Sequence, residues 1–131
     1  DNASCLRMMK PTATREEIAD FIVNTVKNKG SSACPPLFIG VGIGGSFDSV
    51  ALLAKKALLR RFDQDNPNKV LAKFERELLN KINELGIGPG GLGGKSTALG
   101  VSVITAPTHM ACLPVAINMG CNSLRSVEIK V

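Results

Sequence analysis

Glycine placement constrains this chain more than any other feature. Four glycines fall between positions 40 and 45 and six more between 86 and 94, out of 13 in 131 residues. Glycine lacks a Cβ, so it weakens helices and strands but permits close approaches and backbone conformations closed to other residues. Two such clusters predict two places where the backbone itself builds a turn, a tight contact or a binding loop. The remaining segments must supply the core. With 44% hydrophobic and 21% charged residues, they suit one folded domain over residues 1–131.

Residues 1–13 read as an irregular lead-in. Thr14 opens a helix, with Glu17 three residues on completing a capping box. Ile18, Phe21, Ile22 and Val26 form its apolar stripe, and Gly30 ends it. Leu37–Val41 reads as a short strand buried on both faces. After the first glycine cluster, Ser46 or Asp48 caps a broadly apolar helix reaching about Phe62. A third helix spans about Lys69 to Leu85, with Leu71, Phe74, Leu78, Ile82 and Leu85 on one stripe, and Gly86 stops it. Ala98–Ala106 is a strand. Residues 107–120 form an apolar stretch broken by Pro107 and Pro114. Leu124–Val131 alternates as a half-buried strand. The pattern predicts an α/β or α+β domain: a small mixed sheet with about three helices.

The net charge of +5 is spread among acidic residues, with no aromatic residues interleaved for base stacking, so nucleic-acid binding is not expected. No run of 18 apolar residues is present, nor an apolar leader, so neither a membrane span nor secretion is expected. Cys5, Cys34, Cys112 and Cys121 show no CxxC spacing, and on composition alone each reads as an ordinary thiol.

Gly40, Gly42 and Gly45 fit a dinucleotide-binding fingerprint between a strand and a helix, which keeps a nucleotide-binding module as a rival reading. The stretch Gly90–Ser96 imitates a phosphate loop, but Pro89 stands where that pattern needs glycine. Lys95 and Thr97 lie in this second loop, and Lys95 reads as a solvated cation before it reads as a contact to substrate or partner.

Four stretches together carry a stronger signal. They are SCLRMMKP (4–11), ACPPLFIGVGIGGSFD (33–48), LGIGPGGLGGKST (85–97) and APTHMACLPVAINMGCNSLR (106–125). Their order and spacing resemble the alpha region of class I, iron–sulfur-dependent fumarate hydratases and L(+)-tartrate dehydratases. The resemblance covers nearly the whole chain, as the carboxy-terminal part of that region. It implies a [4Fe–4S] cluster held by three thiolates. Cys34 matches the second ligand and Cys121 the third, with the first expected upstream of Asp1. Cys5 and Cys112 fall where the family has no ligand and read as packing residues. His109 matches an active-site histidine that contacts a substrate carboxylate.

The same resemblance implies a proton-abstracting group from a companion beta subunit or carboxy-terminal beta domain, and assembly with a second alpha region. The implied reaction is reversible hydration of fumarate to L-malate, in the cytoplasm, with L(+)-tartrate dehydration as the alternative. This chain alone is then expected to be inactive.

Overall fold

The computed structural model describes residues 3–124 and 126–131. Four strands make one mixed sheet: β1 (Cys5–Met9), β2 (Leu37–Gly45), β3 (Ala98–Thr108) and β4 (Leu113–Gly120). Their order across the sheet is β1-β4-β2-β3. β2 runs parallel to β3, while β4 is antiparallel to both β2 and β1. Three helices, α1 (Arg15–Lys29), α2 (Ser49–Ala57) and α3 (Lys69–Glu84), cover the sheet, giving an α/β fold.

Alternation along the strands sorts the helices between the two faces. Ile39 and Val41 of β2, Val101 and Val103 of β3, and Val115 and Ile117 of β4 are buried with Ile22 and Val26 of α1 and Leu78 and Ile82 of α3. The opposite face carries small residues: Gly40, Gly42, Gly100 and Ala116. Against it lies α2, with Val50 and Ala54 buried. A Cβ on Gly40 would stand 2.2 Å from the Ala54 carbonyl oxygen, and one on Gly42 would stand 2.5 Å from that of Val50. These glycines therefore admit the helix backbone to the strand. The first cluster is a helix–strand contact, and its glycines at 40 and 42 are not free to receive a dinucleotide phosphate.

The capping box at Thr14 is present, with the Glu17 N–H donating to Thr14 Oγ1 at 3.2 Å and Glu17 Oε2 accepting from the Thr14 N–H at 2.7 Å. Gly30 keeps right-handed φ/ψ and leads into a 3-10 turn, so its use is close packing on Val26 and Leu37. Gly86, at φ 65°, stops α3 as anticipated.

Four expectations are corrected. The lead-in contains β1, whose edge position needs little hydrophobicity. β2 continues through Gly45, because pairing with β3 along its whole length, and with β4 as far as Ile43, outweighs glycine's poor propensity. α2 ends at Ala57, short of the expected Phe62, and Leu52 on it is half exposed. The chain turns there so that Phe62 can pack over Gly100 and against Phe38, with ring centroids 4.7 Å apart.

The last correction concerns the prolines and the tail. Residues 113–120 form the central strand β4. Pro114 sits one residue beyond the β2 ladder, which ends at Ile43–Val115. Pro107 falls in the register shift between Gly44–Ala106 and Gly45–Thr108, so neither proline removes a donor from the pairing with β2. Leu124–Val131 forms no strand among its described residues; Arg125 lies outside them.

β3 is an edge strand, and its middle is sealed by side chains. Glu75 Oε1 accepts the Val103 N–H at 2.7 Å, and Asn66 Nδ2 donates to the Val103 carbonyl at 3.2 Å. Asn66 also donates to Glu75 at 2.8 Å, and Arg60 pairs with Glu75 at 2.7 Å. Asn66 and Glu75 are both buried. Edges left open invite pairing with other chains, and this network blocks one. Glu75→Ala leaves a buried N–H, an amide and a guanidinium short of a partner. We expect a loss of about 3–5 kcal/mol in urea unfolding, against less than about 0.5 kcal/mol for the exposed Lys73→Ala. Gly42→Ala is expected to cost at least about 1–3 kcal/mol by overpacking, with no ligand present.

Candidate metal centre

Cys34 precedes β2 by three residues, in a loop stiffened by Pro35 and Pro36. Cys121 directly follows β4. Because Phe38 pairs with Gly120, the start of β2 and the end of β4 lie side by side. The two cysteines, far apart in sequence, therefore reach the same end of the sheet. Cys121 follows a central strand rather than preceding a last one, which corrects the setting expected for it.

Cys34 is exposed and Cys121 half-buried, so both sulfurs are accessible. Cys121 opens a 3-10 turn, closed by the Leu124 N–H donating to its carbonyl at 3.0 Å. Leu124 folds back onto Gly120, where a Cβ would stand 2.1 Å from its Cδ1. That turn sets the Ser123 hydroxyl 3.3 Å from the Cys121 sulfur. The Ser123 hydroxyl, aided by its backbone N–H, holds the Cys121 thiol below its usual range and favours the thiolate. Thiolate is the form that ligates metal. Ser123 was missed in the sequence; the Cys-x-Ser spacing in a short turn was its signal.

The second glycine loop sits at this same end. Its 3-10 turn, Pro89–Gly91, packs on Gly30–Ser32, and a Cβ on Gly91 would meet the Ser31 Cβ at 2.9 Å. Thr97 anchors the loop: it is 2% exposed, accepts the Gly88 N–H at 3.1 Å, and donates its own N–H to Asn83 at 2.8 Å. Its role is structural, whereas Lys95 is exposed. Cys5 opens β1 opposite Ile117, three residues short of Gly120.

His109 lies at the other end. It follows Thr108, which pairs with Gly45 at the far end of β2. Gly45 stands seven strand steps on from Phe38, a distance of about 23 Å at strand rise. The structure thus places Cys34 and Cys121 at one end of the sheet and His109 at the other. His109 Nδ1 accepts the Ala111 N–H at 3.1 Å, so the neutral ring carries its proton on the exposed Nε2. Cys112 is beside it, its sulfur 3.4 Å from the Thr108 hydroxyl. Near them, Asp48 is held below the usual carboxylate range by the Ser46 hydroxyl.

Among the described residues no group of three or more His, Cys, Asp or Glu side chains is arranged to hold a metal. The two cysteines fit part of a cluster's ligand set: soft, accessible, and one of them biased to thiolate. A cluster held there would need a further ligand besides these two. Ala3 and Ser4 continue β1 toward this end, where Lys29 at the close of α1 donates to the Ser4 carbonyl at 3.1 Å.

Comparison with known proteins decides the family. A profile for fumarate hydratase (Fumerase) matches residues 1–130. This chain belongs to the fumarate hydratase family.

Among relatives of this fumarate hydratase family chain, a Methanocaldococcus jannaschii protein with a provisional name as L(+)-tartrate dehydratase subunit alpha is 48% identical over 121 residues, 92% of this chain and 42% of that protein. The L(+)-tartrate dehydratase subunit alpha of Escherichia coli UTI89 is 34% identical over 125 residues, 95% of this chain and 41% of its own length. That of Escherichia coli K12 is 36% identical over 115 residues, 88% and 38% respectively. The chain thus spans about two fifths of the relatives it matches. No described helix is long and apolar enough to cross a membrane.

The Cys121 turn yields a direct test. Ser123→Ala removes the hydroxyl that stabilises the thiolate, so the Cys121 pKa must rise. The pH profile of Cys121 alkylation, followed by peptide mass spectrometry, is expected to move to higher pH, while that of Cys112 stays in place.

Proposed function

We propose that this chain is the part of an iron–sulfur hydro-lyase alpha subunit that supplies two cluster ligands, Cys34 and Cys121. One observation carries the reading: the antiparallel pairing of β2 with β4 gathers these two cysteines at one end, in a chain whose family is that of fumarate hydratase. The remaining thiolate of a [4Fe–4S] cluster comes from a segment before β1. The reaction is reversible hydration of fumarate to L-malate. L(+)-tartrate dehydration is the second reading, favoured by the names of the relatives. Both reactions add or remove water across a four-carbon dicarboxylate.

The chain's own residues have separate tasks. Cys34 and Cys121 hold the cluster by their thiolates, and Ser123 keeps Cys121 in that form. A cluster iron with an open position supplies Lewis acidity toward a bound hydroxyl. His109 donates from Nε2 to a substrate carboxylate. The proton-abstracting group belongs to a companion beta subunit or domain, which accords with relatives named as alpha subunits.

The separation of about 23 Å sets a condition on this scheme. One copy cannot bring its own His109 and its own cysteines to one small substrate. A second alpha region therefore supplies His109, and each active site is shared between two copies.

In the complete enzyme, Cys34→Ser, Cys121→Ser and His109→Asn are each expected to lower activity at least about a hundredfold, while Cys112→Ser leaves it within about twofold. Co-assembling His109→Asn subunits with Cys121→Ser subunits is expected to restore activity from two inactive parents, since each hybrid pair holds one intact site. A mixture that stays inactive contradicts the shared site. Steady-state assays with fumarate, L-malate and L-tartrate separate the two substrate readings.

A further inference from the structure

Seating α2 uses only Gly40 and Gly42 of the first glycine cluster. Gly44 and Gly45 have a different task. Both take left-handed backbone, at φ 87° and 73°, and a Cβ on Gly44 would stand 2.0 Å from the Ala106 carbonyl oxygen. They end β2 where the connection from β3 to β4, residues 109–112, passes by. Because β2 lies between β3 and β4, that connection must cross its end. His109 sits on the crossing. It is exposed and outside the strand pairing, so its aim depends on whatever pins those four residues.

The pin starts from a bulge. Gly44 pairs with Ala106 and Gly45 with Thr108, which leaves Pro107 as the extra residue. A bulge re-aims the side chains beside it. Here Thr108, in place of Pro107, comes opposite Gly45, and its hydroxyl donates to the Gly45 carbonyl at 2.8 Å. A hydroxyl has one proton to give. Its longer approaches, 3.3 Å to the Cys112 carbonyl and 3.4 Å to the Cys112 sulfur, are therefore the weaker ones. Thr108 touches both sides of the crossing: the last residue of β2, and the residue at which the crossing ends.

The crossing itself is a β-turn, closed by the Cys112 N–H donating to the His109 carbonyl at 3.0 Å. Inside it the Ala111 N–H donates to His109 Nδ1 at 3.1 Å. That bond exists only while the turn keeps its shape.

We propose that Thr108 is the positioning residue of His109. Its hydroxyl, tied to Gly45, holds the 109–112 turn in the form that keeps Nδ1 an acceptor and Nε2 the donating nitrogen. The inference rests on the use of His109 as a carboxylate donor proposed above, and it needs no contact between Thr108 and substrate.

His109 is the single histidine of the chain, so one imidazole gives every ring 15N signal. The test uses the 15N-labelled 131-residue chain at about pH 8, where the ring is neutral. The parent is expected to show the Nε2–H tautomer, with the Ala111 amide slowed in magnetisation exchange with water. Thr108→Val keeps the branched shape without the hydroxyl. It is expected to speed that exchange about tenfold and to move the ring toward a mixture of tautomers. Thr108→Ser is expected to keep both signals at the parent's values. Thr108 is exposed, so circular dichroism of both variants should match the parent. In the complete enzyme Thr108→Val is expected to lower kcat/KM about tenfold, with Thr108→Ser within about twofold and cluster iron and sulfide unchanged in both. Ring signals and Ala111 exchange that stay put in Thr108→Val, or that move equally in Thr108→Ser, would overturn the positioning role. The spectra need no cluster, so they decide this role separately. A harmless His109→Asn substitution in the complete enzyme would instead count against the proposed function.

Discussion

The fold depends on one contact, the seating of α2 directly on β2 through Gly40 and Gly42. Any side chain there would collide with the helix backbone at Ala54 or Val50. With those positions bare, the helix lies close enough for Leu58, just past its end, to pack over Gly40 and reach Gly120. Leu124 closes on Gly120 beside it, where the chain makes the turn that Cys121 opens. A packing contact in the middle of the sheet thus fixes the geometry of a cysteine at its end.

The placement of β4 does the rest. Inserted antiparallel between β1 and β2, it returns the chain from the His109 end to the cysteine end in eight residues. A parallel fourth strand would have put His109 and Cys121 on different terms. As it stands, the two residues lie at opposite ends of the sheet, which is why the proposed function draws them from two copies. The second glycine cluster serves the cysteine end as well, held there by Thr97 and Asn83.

Much of this was legible in the sequence. The capping box at Thr14, the stripe of α3 and the stop at Gly86 follow from local rules, and local rules held. The family was legible from four stretches of motif. What sequence concealed was pairing. Pro114 argued against a central strand because a register that excuses it from the β2 ladder is invisible without the partner. Gly40 and Gly42 imitated a phosphate-binding fingerprint because close approach to a helix and close approach to a phosphate ask for the same residue. Of the candidate site, the cysteines and their loops on adjacent strand ends were legible, whereas Ser123 was overlooked because a serine in a short turn is unremarked until its hydroxyl faces a sulfur. The alternation at 127–131 predicted a strand, and the described residues there form none.

The account stands on Cys34 and Cys121 acting together on one cluster. The most direct measurement is the iron and acid-labile sulfide content of the complete alpha subunit after anaerobic reconstitution, compared among Cys34→Ser, Cys121→Ser and Cys112→Ser. The account predicts that the first two fail to retain a cluster while the third matches the parent. Equal iron and sulfide in all three would contradict it.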